Sequence, residues 1–432
     1  MIEDDIYRSS TQFRLWSFTR DSLASMRATA NKVASERIRA AQKRAREAAA
    51  QHRTASGTTE NTTSPTSGSG NVTPNPTSDA EGKTDAILDQ DVECLTPEEE
   101  AEFVRYYCEQ TLELGDTYKP PLPTMVRATA IQFLRRFYLT NSVMVYHPKS
   151  IMPCALFLAT KTDNYYMSLK DFASGVPGVK APEDVIAPEF TLTQGLRFTF
   201  DVRHPFRGLE GGIMELQAIA QGNGKPNPHH MGQTPESLKR DLHAIPPASP
   251  SDPQTSITNR ISIAHGKARE ILKTAAQMTD AYFFYTPSQI WLAALFLADR
   301  PLAQYYLDIK IGPVVESGDA DPKNPLAMIR MKLLTTLADC AKLLESYTPM
   351  SSDPETRKRL KGIAKKVYQC HQILKLDPAT PGNGQKRGEG MSESDRERAA
   401  KKRRLERERR EQEAKELFGG ELSRPAEAAK ES

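Results

Sequence analysis

Residues 146–161, YHPKSIMPCALFLATK, recur almost unchanged as residues 285–300, YTPSQIWLAALFLADR. Eight of the sixteen aligned positions are identical, among them the run Ala-Leu-Phe-Leu-Ala, and the offset is a constant 139 residues. The similarity extends upstream, where LTNSVMVYHP at 139–148 resembles MTDAYFFYTP at 278–287. Solenoid units repeat about every 20 to 50 residues. A repeat of this length therefore indicates two copies of a whole domain.

Composition excludes several classes of protein. The 432 residues carry a net charge of only +3, so no global basic field favours nucleic acid. The five cysteines are odd in number and never form C-x-x-C, which predicts neither a disulfide framework nor a zinc site. The N-terminal MIEDDIYRSS lacks an apolar signal segment, and no run of about eighteen apolar residues occurs. We therefore expect an intracellular protein without a membrane span.

Helix signals dominate both repeats. Thr96, Pro97 and Glu99 form a capping box that predicts a helix start. Residues 124–140 place an apolar stripe on one helical face and leave Arg135 and Arg136 off it. The run ALFLA is apolar nearly all round, which is typical of a helix buried on most sides. Because β-branched alternation never persists, the predicted fold class is all-α.

Each repeat is predicted to contain about five helices. In the second repeat we expect them at 204–220, 255–284, 286–300, 301–309 and 323–347, the first weakened by Gly208, Gly211 and Gly212. The stretch 221–254 is rich in Pro, Gly and Ser and is predicted to be a mobile surface loop. Its adjacent His229 and His230 have no Cys, Asp or Glu partner nearby. No metal and no other cofactor is predicted.

Further helices are predicted outside the repeats, at 19–50 and 354–375. Both have apolar stripes that would otherwise face water, so we expect them to pack on the repeats. The predicted organisation has six parts: an N-terminal helix segment 1–51, a disordered linker 52–92, the first repeat 93–203, the second repeat 204–348 with its insertion 221–254, a C-terminal helix 349–376 and a charged tail 377–432.

The sequence lacks the motifs of the common catalytic classes. There is no G-x-x-x-x-G-K-[ST], no G-x-S-x-G, no H-E-x-x-H and no kinase-type H-R-D or D-F-G set. A duplicated helical domain without a catalytic constellation is better suited to holding another protein. We therefore expect no enzyme activity in this chain itself.

The repeats resemble the cyclin H family. RRFYLTNSVMVYHPKSIMPCALFLATKTD is similar to the first cyclin box of that family, and TDAYFFYTPSQIWLAAL is similar to the second. SSTQFRLWSFT and the helix around KVYQCHQ resemble its flanking segments. The resemblance does not reach 52–86, 221–254 or the tail after 377. It implies two consecutive five-helix cyclin boxes with flanking N- and C-terminal helices.

The resemblance also implies a function. It indicates a nuclear regulatory subunit of the CDK-activating kinase, bound to a cyclin-dependent kinase and an assembly factor, and through them to transcription factor IIH. No direct contact with nucleic acid or membrane is expected. Cyclins grip the αC helix of the kinase with a Lys and a Glu that match Lys161 and Glu189, and we assign Phe157 and Asp163 to the same kinase-binding set. Cyclins often carry a second acid where this chain has Asn164.

Alternatives remain at this stage. Lys161 taken alone is more typical of an ordinary helix-end lysine that complements its own helix dipole, and only the resemblance favours the kinase-binding role. The cyclin fold is shared with the DNA-binding transcription factor IIB family, although no cysteine pair here forms the zinc ribbon of that family, and a scaffold that binds a kinase without activating it is a further alternative. The basic cluster Lys401, Lys402, Arg403 and Arg404 is either a nuclear-import signal or part of a solvated charged helix.

Overall fold

The computed structural model describes residues 3–56, 90–227, 232–247, 256–312, 325–350 and 353–379. Within these ranges the chain forms helices and no strands, so the predicted all-α class is confirmed. The helices are α1 Glu3–Ser9, α2 Thr11–Trp16, α3 Arg20–Ser56, α4 Pro97–Thr117, α5 Thr124–Phe137, α6 Pro148–Thr162, α7 Leu169–Gly175, α8 Pro182–Ile186, α9 Glu189–Gly195, α10 Phe206–Gln221, α11 Pro235–His243, α12 Ile257–Lys273, α13 Ala275–Met278, α14 Ala281–Phe284, α15 Pro287–Ala298, α16 Arg300–Ile311, α17 Pro325–Glu345 and α18 Pro354–Leu376.

The first repeat is built around α5 and α6. The predicted capping box opens α4, since the Glu99 amide donates to Thr96 Oγ1 at 3.2 Å and the Thr96 amide donates to Glu99 Oε2 at 2.9 Å. Phe133 and Phe137 of α5 pack with Leu156 of α6 in one core from which solvent is excluded. The recurring segment thus forms the central helix of this repeat.

The second repeat has the same plan around α15. Like α6, this helix begins at a proline, here Pro287, and its Ala294 and Leu295 lie fully buried in a second core. The helix predicted over 255–284 is wrong as a continuous element, because it breaks after Lys273 and continues as the short α13 and α14. These short helices lead into the recurring segment.

The glycines of 204–220 do not break the helix predicted there. The helix α10 runs without interruption from Phe206 to Gln221. A Cβ atom at Gly208 would lie 2.5 Å from the Trp291 ring, and one at Gly212 would lie 2.8 Å from it. Two of the three glycines therefore give the indole the space to lie against the helix backbone.

The insertion 221–254 contains ordered structure, so the prediction of a surface loop throughout is wrong. Thr234 caps α11, and Leu238 and Leu242 of this helix lie buried in the core of the second repeat. The Tyr305 hydroxyl donates to the Leu238 carbonyl at 2.7 Å, which fixes α11 on α16. A Thr-Pro start followed by two leucines four residues apart is a signal that the loop prediction overlooked.

The flanking helices pack on the repeats as predicted. Ala34 and Ile38 of α3 join the core of the first repeat, and so do Ile363 and Val367 of α18. The helix α3 extends to Ser56, beyond the predicted start of the linker at 52. The remainder of the predicted linker, 57–89, lies outside the described residues, as do parts of the insertion and residues 380–432 of the tail.

All five cysteines are free thiols. Across the described ranges, none of the helices combines the length and the apolar character that crossing a bilayer requires.

Candidate functional site

Lys161 and Glu189 meet at the surface of the first repeat. The Lys161 ammonium forms an ion pair with the Glu189 carboxylate, across 28 positions of sequence. The Lys161 side chain is 44% exposed and that of Glu189 is 29% exposed. The two residues named from the resemblance are therefore brought together, and a partner protein can still reach the ammonium.

Helix ends place both charges. Lys161 lies in the last turn of α6, where a cation complements the helix dipole, and Glu189 opens α9, where an anion does so. The Asp163 amide closes α6 by donating to the Ala159 carbonyl at 3.0 Å. Asn164 then adopts the left-handed conformation with φ 57°, which Asn tolerates better than most residues. This turn gives a physical reason for Asn at the position where cyclins often carry an acid.

Phe157 and Asp163 lie beneath this surface rather than on it. Phe157 is buried, and the Lys161 Nζ atom lies 4.9 Å from the centroid of its ring. Asp163 turns inward, where its Oδ2 accepts a hydrogen bond of 2.7 Å from the Thr129 hydroxyl. Burial raises the pKa of Asp163, and the hydrogen bond from Thr129 opposes that rise. Phe157 therefore lies against the ammonium, whereas the partly buried Asp163 is held by Thr129.

Asp163 is the end of a buried polar chain that crosses between the repeats. Thr129 Oγ1 lies 3.0 Å from His204 Nε2, and His204 Nδ1 lies 2.9 Å from the Tyr282 hydroxyl, which accepts from Gln277 at 2.7 Å. Because Thr129 donates to the carboxylate, it accepts from His204 Nε2–H, and Nδ1 accepts from Tyr282. A neutral histidine satisfies both contacts, and burial lowers the pKa of His204 to about 3.

The second repeat has a related but different arrangement. The Arg300 guanidinium lies 5.0 Å from the Phe296 ring, as Lys161 lies over Phe157. The preceding residue, Asp299, is buried and holds Arg260 through two hydrogen bonds of 2.6 and 2.8 Å. Asp299 also caps α16. The chain therefore begins a new helix at Arg300, whereas at the matching position of the first repeat α6 continues to Thr162. No described residue forms an ion pair with Arg300 in the way that Glu189 does with Lys161.

The sequence analysis missed the charged junction between the repeats. Arg135 and Arg136, which lie off the apolar stripe of α5, are both buried. Arg135 donates to Asp280 at 2.5 Å and to the Met278 carbonyl at 2.8 Å, and Arg27 donates to Asp280 at 2.7 and 3.0 Å. One signal was available in the sequence. Asp280 aligns with Asn141 of the first repeat, so the second repeat has a charged residue where the first has a neutral one.

The fold is that of a class of protein, the cyclins. A model of the cyclin N-terminal domain matches residues 116–201, and a model of the cyclin C-terminal domain matches residues 204–345. The chain belongs to the cyclin family, and its first and second repeats are the two cyclin boxes.

Within that family the similarity is to cyclin H and its relatives, as the sequence predicted. Cyclin CCL1 of Saccharomyces cerevisiae is 31% identical over 322 residues, which are 74% of this chain and 65% of that protein. Cyclin-H of Xenopus laevis is 29% identical over 206 residues, 46% of this chain and 53% of that protein. The chain thus spans about two thirds and about half of the length of these two relatives.

A solved structure gives the same result. A chain of the CAK complex from Chaetomium thermophilum, bound to ATP-γ-S, superposes with a TM-score of 0.60 at 29% identity. The superposition covers 91% of this chain and 98% of that chain. The likeness therefore includes segments that flank the two repeats.

Proposed function

We propose that this chain is the regulatory cyclin subunit of a cyclin-dependent kinase, which it binds and activates as part of a CDK-activating kinase. The observation that carries the proposal is the exposed Lys161–Glu189 pair at the end of the recurring helix. Two exposed aromatic side chains lie next to this pair in sequence, Tyr166 at 95% and Phe190 at 68% exposure. Large apolar groups beside a charged pair are typical of a docking surface.

The pair is suited to holding the end of a partner helix. The last carbonyls of a helix have no partner within it, and an ammonium group carries three N–H donors. Glu189 takes up one of them and fixes the direction of the Lys161 side chain, which leaves the others for carbonyls of the kinase αC helix. An αC helix held inward allows its Glu to pair with the β3 Lys, one of the conditions for an active kinase.

The contacts of Phe157 and Asp163 behind the ion pair make the first repeat the better candidate for binding the kinase αC helix. Phe157 lies under the ammonium, and Asp163 is tied through Thr129 to the polar chain that enters the second repeat. A surface fixed in this way before binding loses little side-chain entropy on association. In the second repeat, no carboxylate of the described ranges pairs with Arg300 to fix it in this way.

The similarity to a chain of a CAK complex supports the wider partner set. We propose that the kinase subunit and an assembly factor bind this chain, and that transcription factor IIH is reached through them. Action in the nucleus follows from this role. The proposed nuclear-import cluster at 401–404 lies outside the described residues. The localisation of a fluorescent fusion tests it, because the variant with Lys402→Ala and Arg403→Ala should no longer accumulate in the nucleus.

Reconstitution tests the main proposal. The cyclin-dependent kinase subunit that co-purifies with this chain is assayed alone and with the full chain, and we expect phosphorylation of a peptide substrate only in the complex. Binding without any gain in activity would favour the non-activating scaffold. Salt-sensitive affinity for duplex DNA by the chain alone would favour the alternative of a factor IIB-like adaptor.

A further inference from the structure

Two thiols meet where the start of the first repeat lies against the C-terminal helix. Cys94 belongs to the segment 90–95 that leads into α4, and Cys370 lies on α18. Both cysteines are free, and the Cys370 thiol donates a hydrogen bond to the Cys94 sulfur. The two sulfur atoms are therefore in direct contact, although they come from opposite flanks of the two repeats.

Neighbouring contacts hold the segment that carries Cys94 in place. One turn before the cysteine of α18, the Lys366 ammonium binds the Glu93 carboxylate at 2.5 Å. On the other side, the Gln42 side chain of α3 donates to the Gln90 carbonyl at 2.6 Å. The segment is thus fixed between α3 and α18, so Cys94 stays next to its partner thiol.

The two thiols differ in exposure. Cys94 is only partly buried, so a small molecule can reach its sulfur from solvent. Cys370 is 0% exposed and belongs to the core of the first repeat. A reagent in solution therefore meets Cys94 first, and Cys370 can react only through Cys94.

The surroundings of Cys94 favour its thiolate. The hydrogen bond from Cys370 lowers the pKa of Cys94, and a hydrogen bond from Ser35 and the charge of Arg39 lower it further against the opposing effect of burial. The hydrogen bond to Cys94, together with burial, raises the pKa of Cys370. Burial also raises the pKa of the three remaining cysteines to about 12, namely Cys108, Cys154 and Cys340.

This arrangement is typical of cysteines that respond to oxidants. The thiolate is the nucleophilic form of cysteine, so Cys94 is the thiol of this chain that is prepared to react. Redox-sensing cysteines are accessible, ionise readily and often lie next to a second cysteine that resolves the first oxidation product. Cys370 is in the position of that second cysteine.

We propose that Cys94 and Cys370 form a reversible disulfide when the protein meets hydrogen peroxide. The Cys94 thiolate attacks one peroxide oxygen, the O–O bond breaks, and the hydroxide that leaves takes up a proton to become water. Cys94 is then a sulfenic acid. Cys370 loses its proton and attacks the Cys94 sulfur, and the S–O bond breaks to release a second water. The two thiols are oxidised to the disulfide, and the peroxide is reduced to water.

The disulfide ties α18 to the start of the first repeat. In the reduced protein this helix is held there by apolar contacts, such as those of Ile363 and Val367, and by ion pairs. A covalent link that closes a long loop restricts the unfolded chain and so stabilises the folded one. The pair is thus a lock on the C-terminal helix that closes on oxidation and opens with a thiol reductant. It shares no residue with Lys161 and Glu189 and does not depend on the proposed function.

Disulfide mapping of the full chain tests the proposal. The reduced protein is treated with hydrogen peroxide, its remaining thiols are blocked with N-ethylmaleimide under denaturing conditions, and its tryptic peptides are identified by mass spectrometry. We expect one intramolecular cross-link, between the peptides of Cys94 and Cys370, which dithiothreitol removes. The three buried cysteines are internal controls and should be recovered as blocked thiols. The melting temperature of the cross-linked protein should be about 3 °C or more above that of the reduced protein.

Two variants separate the steps. Cys370→Ser keeps a donor beside Cys94 but cannot close the disulfide, so the sulfenic acid should persist at Cys94 and be trapped by dimedone. Cys94→Ser removes the attacking thiolate and should give neither a cross-link nor a dimedone adduct at Cys370.

Three results would overturn the proposal: no link between Cys94 and Cys370 in the unsubstituted chain, links formed equally with the other cysteines, or an unchanged melting temperature after complete cross-linking. Oxidation of Cys370 in the Cys94→Ser variant would contradict the order of the steps. If Cys370→Ser does not fold, the map of the unsubstituted chain still decides.

Discussion

The carboxylate of Asp280 in the second repeat lies 2.5 Å from the guanidinium of Arg135 in the first. The same carboxylate accepts two hydrogen bonds from Arg27 of α3, so one side chain joins the two repeats and the N-terminal helix. Burial raises the pKa of Asp280, but the two arginines outweigh it and hold that pKa below its usual range. The junction is therefore ionised at neutral pH.

Loss of this junction should destabilise the protein. Asp280→Ala leaves the buried Arg135 without its counter-charge, and removing one partner of a buried pair costs about 3 to 5 kcal/mol. Because the Asp280 side chain is 24% exposed, we expect a value near the lower end, about 3 kcal/mol. Urea unfolding measures this loss of stability.

Asp201→Ala is the control, since Asp201 and Arg203 form an ion pair in which both side chains are about half exposed. This substitution should cost no more than about 0.5 kcal/mol. Equal losses would contradict the role of Asp280.

Replacing glycine by alanine in α10 should have opposite effects on stability at Gly208 and at Gly211. Gly208→Ala puts a methyl group against the Trp291 ring, which itself packs on Tyr306, so we expect a loss of about 1 to 3 kcal/mol. Gly211→Ala meets nothing within 4 Å and should add about 0.5 to 1 kcal/mol through its better helix propensity. Thermal unfolding distinguishes the two. A gain from Gly208→Ala would show that the indole can move aside.

The kinase-binding proposal predicts an asymmetry between the repeats. Lys161→Glu sets a carboxylate against Glu189 and against partner carbonyls, and it should cost roughly 2 to 5 kcal/mol of kinase affinity. Arg300→Glu changes the equivalent position of the second repeat and should leave kinase activation nearly intact. Both positions are exposed, so folding stability should change by no more than about 0.5 kcal/mol in either variant. Kinase assays and melting curves measure the two effects. Equal loss of activation, or none from Lys161→Glu, would reject the first repeat as the activating surface.

The buried His204 predicts a dependence of stability on pH. Burial lowers its pKa to about 3, with the charges of Arg136 and Arg207 adding to that effect, so the folded state favours the neutral ring. The unfolded chain takes up a proton near the ordinary pKa of about 6.5, whereas the folded chain does not until far lower pH. The contribution of His204 is therefore complete above pH 6.5 or so and is lost as the pH falls towards about 3.

Between pH 7 and pH 5 we expect the free energy of unfolding to fall by about 2 kcal/mol from His204 alone. Denaturant titrations at several pH values measure this slope. His204→Gln keeps a polar group between Thr129 and Tyr282 but cannot titrate, so its slope should be smaller by that amount. An unchanged slope in the variant would mean that other groups carry the dependence.

The predictable part of the candidate site was the part that recurs in the sequence or resembles a family. Lys161 could be named because it ends the repeated helix, and Glu189 because it matches a cyclin position. The support beneath them could not be named. Thr129 reaches His204 across 75 positions, and Arg135 reaches Asp280 across 145. Helical periodicity reports on neighbours three or four residues apart and carries no information about contacts at such separations.

The sequence by itself determined the helical class, the duplication and the positions of helix starts, because caps, prolines and apolar stripes act within a few residues of each other. It also indicated that α3 and α18 must pack on the repeats, since their apolar stripes cannot remain in water. Only the tertiary structure decided that Gly208 makes room for Trp291 without breaking α10, that Leu238 and Leu242 anchor a helix within the insertion, and that Arg135 is buried with Asp280. Each of these outcomes depends on a side chain brought in from elsewhere in the chain, and the free energy of that contact outweighs the local preference of the residue.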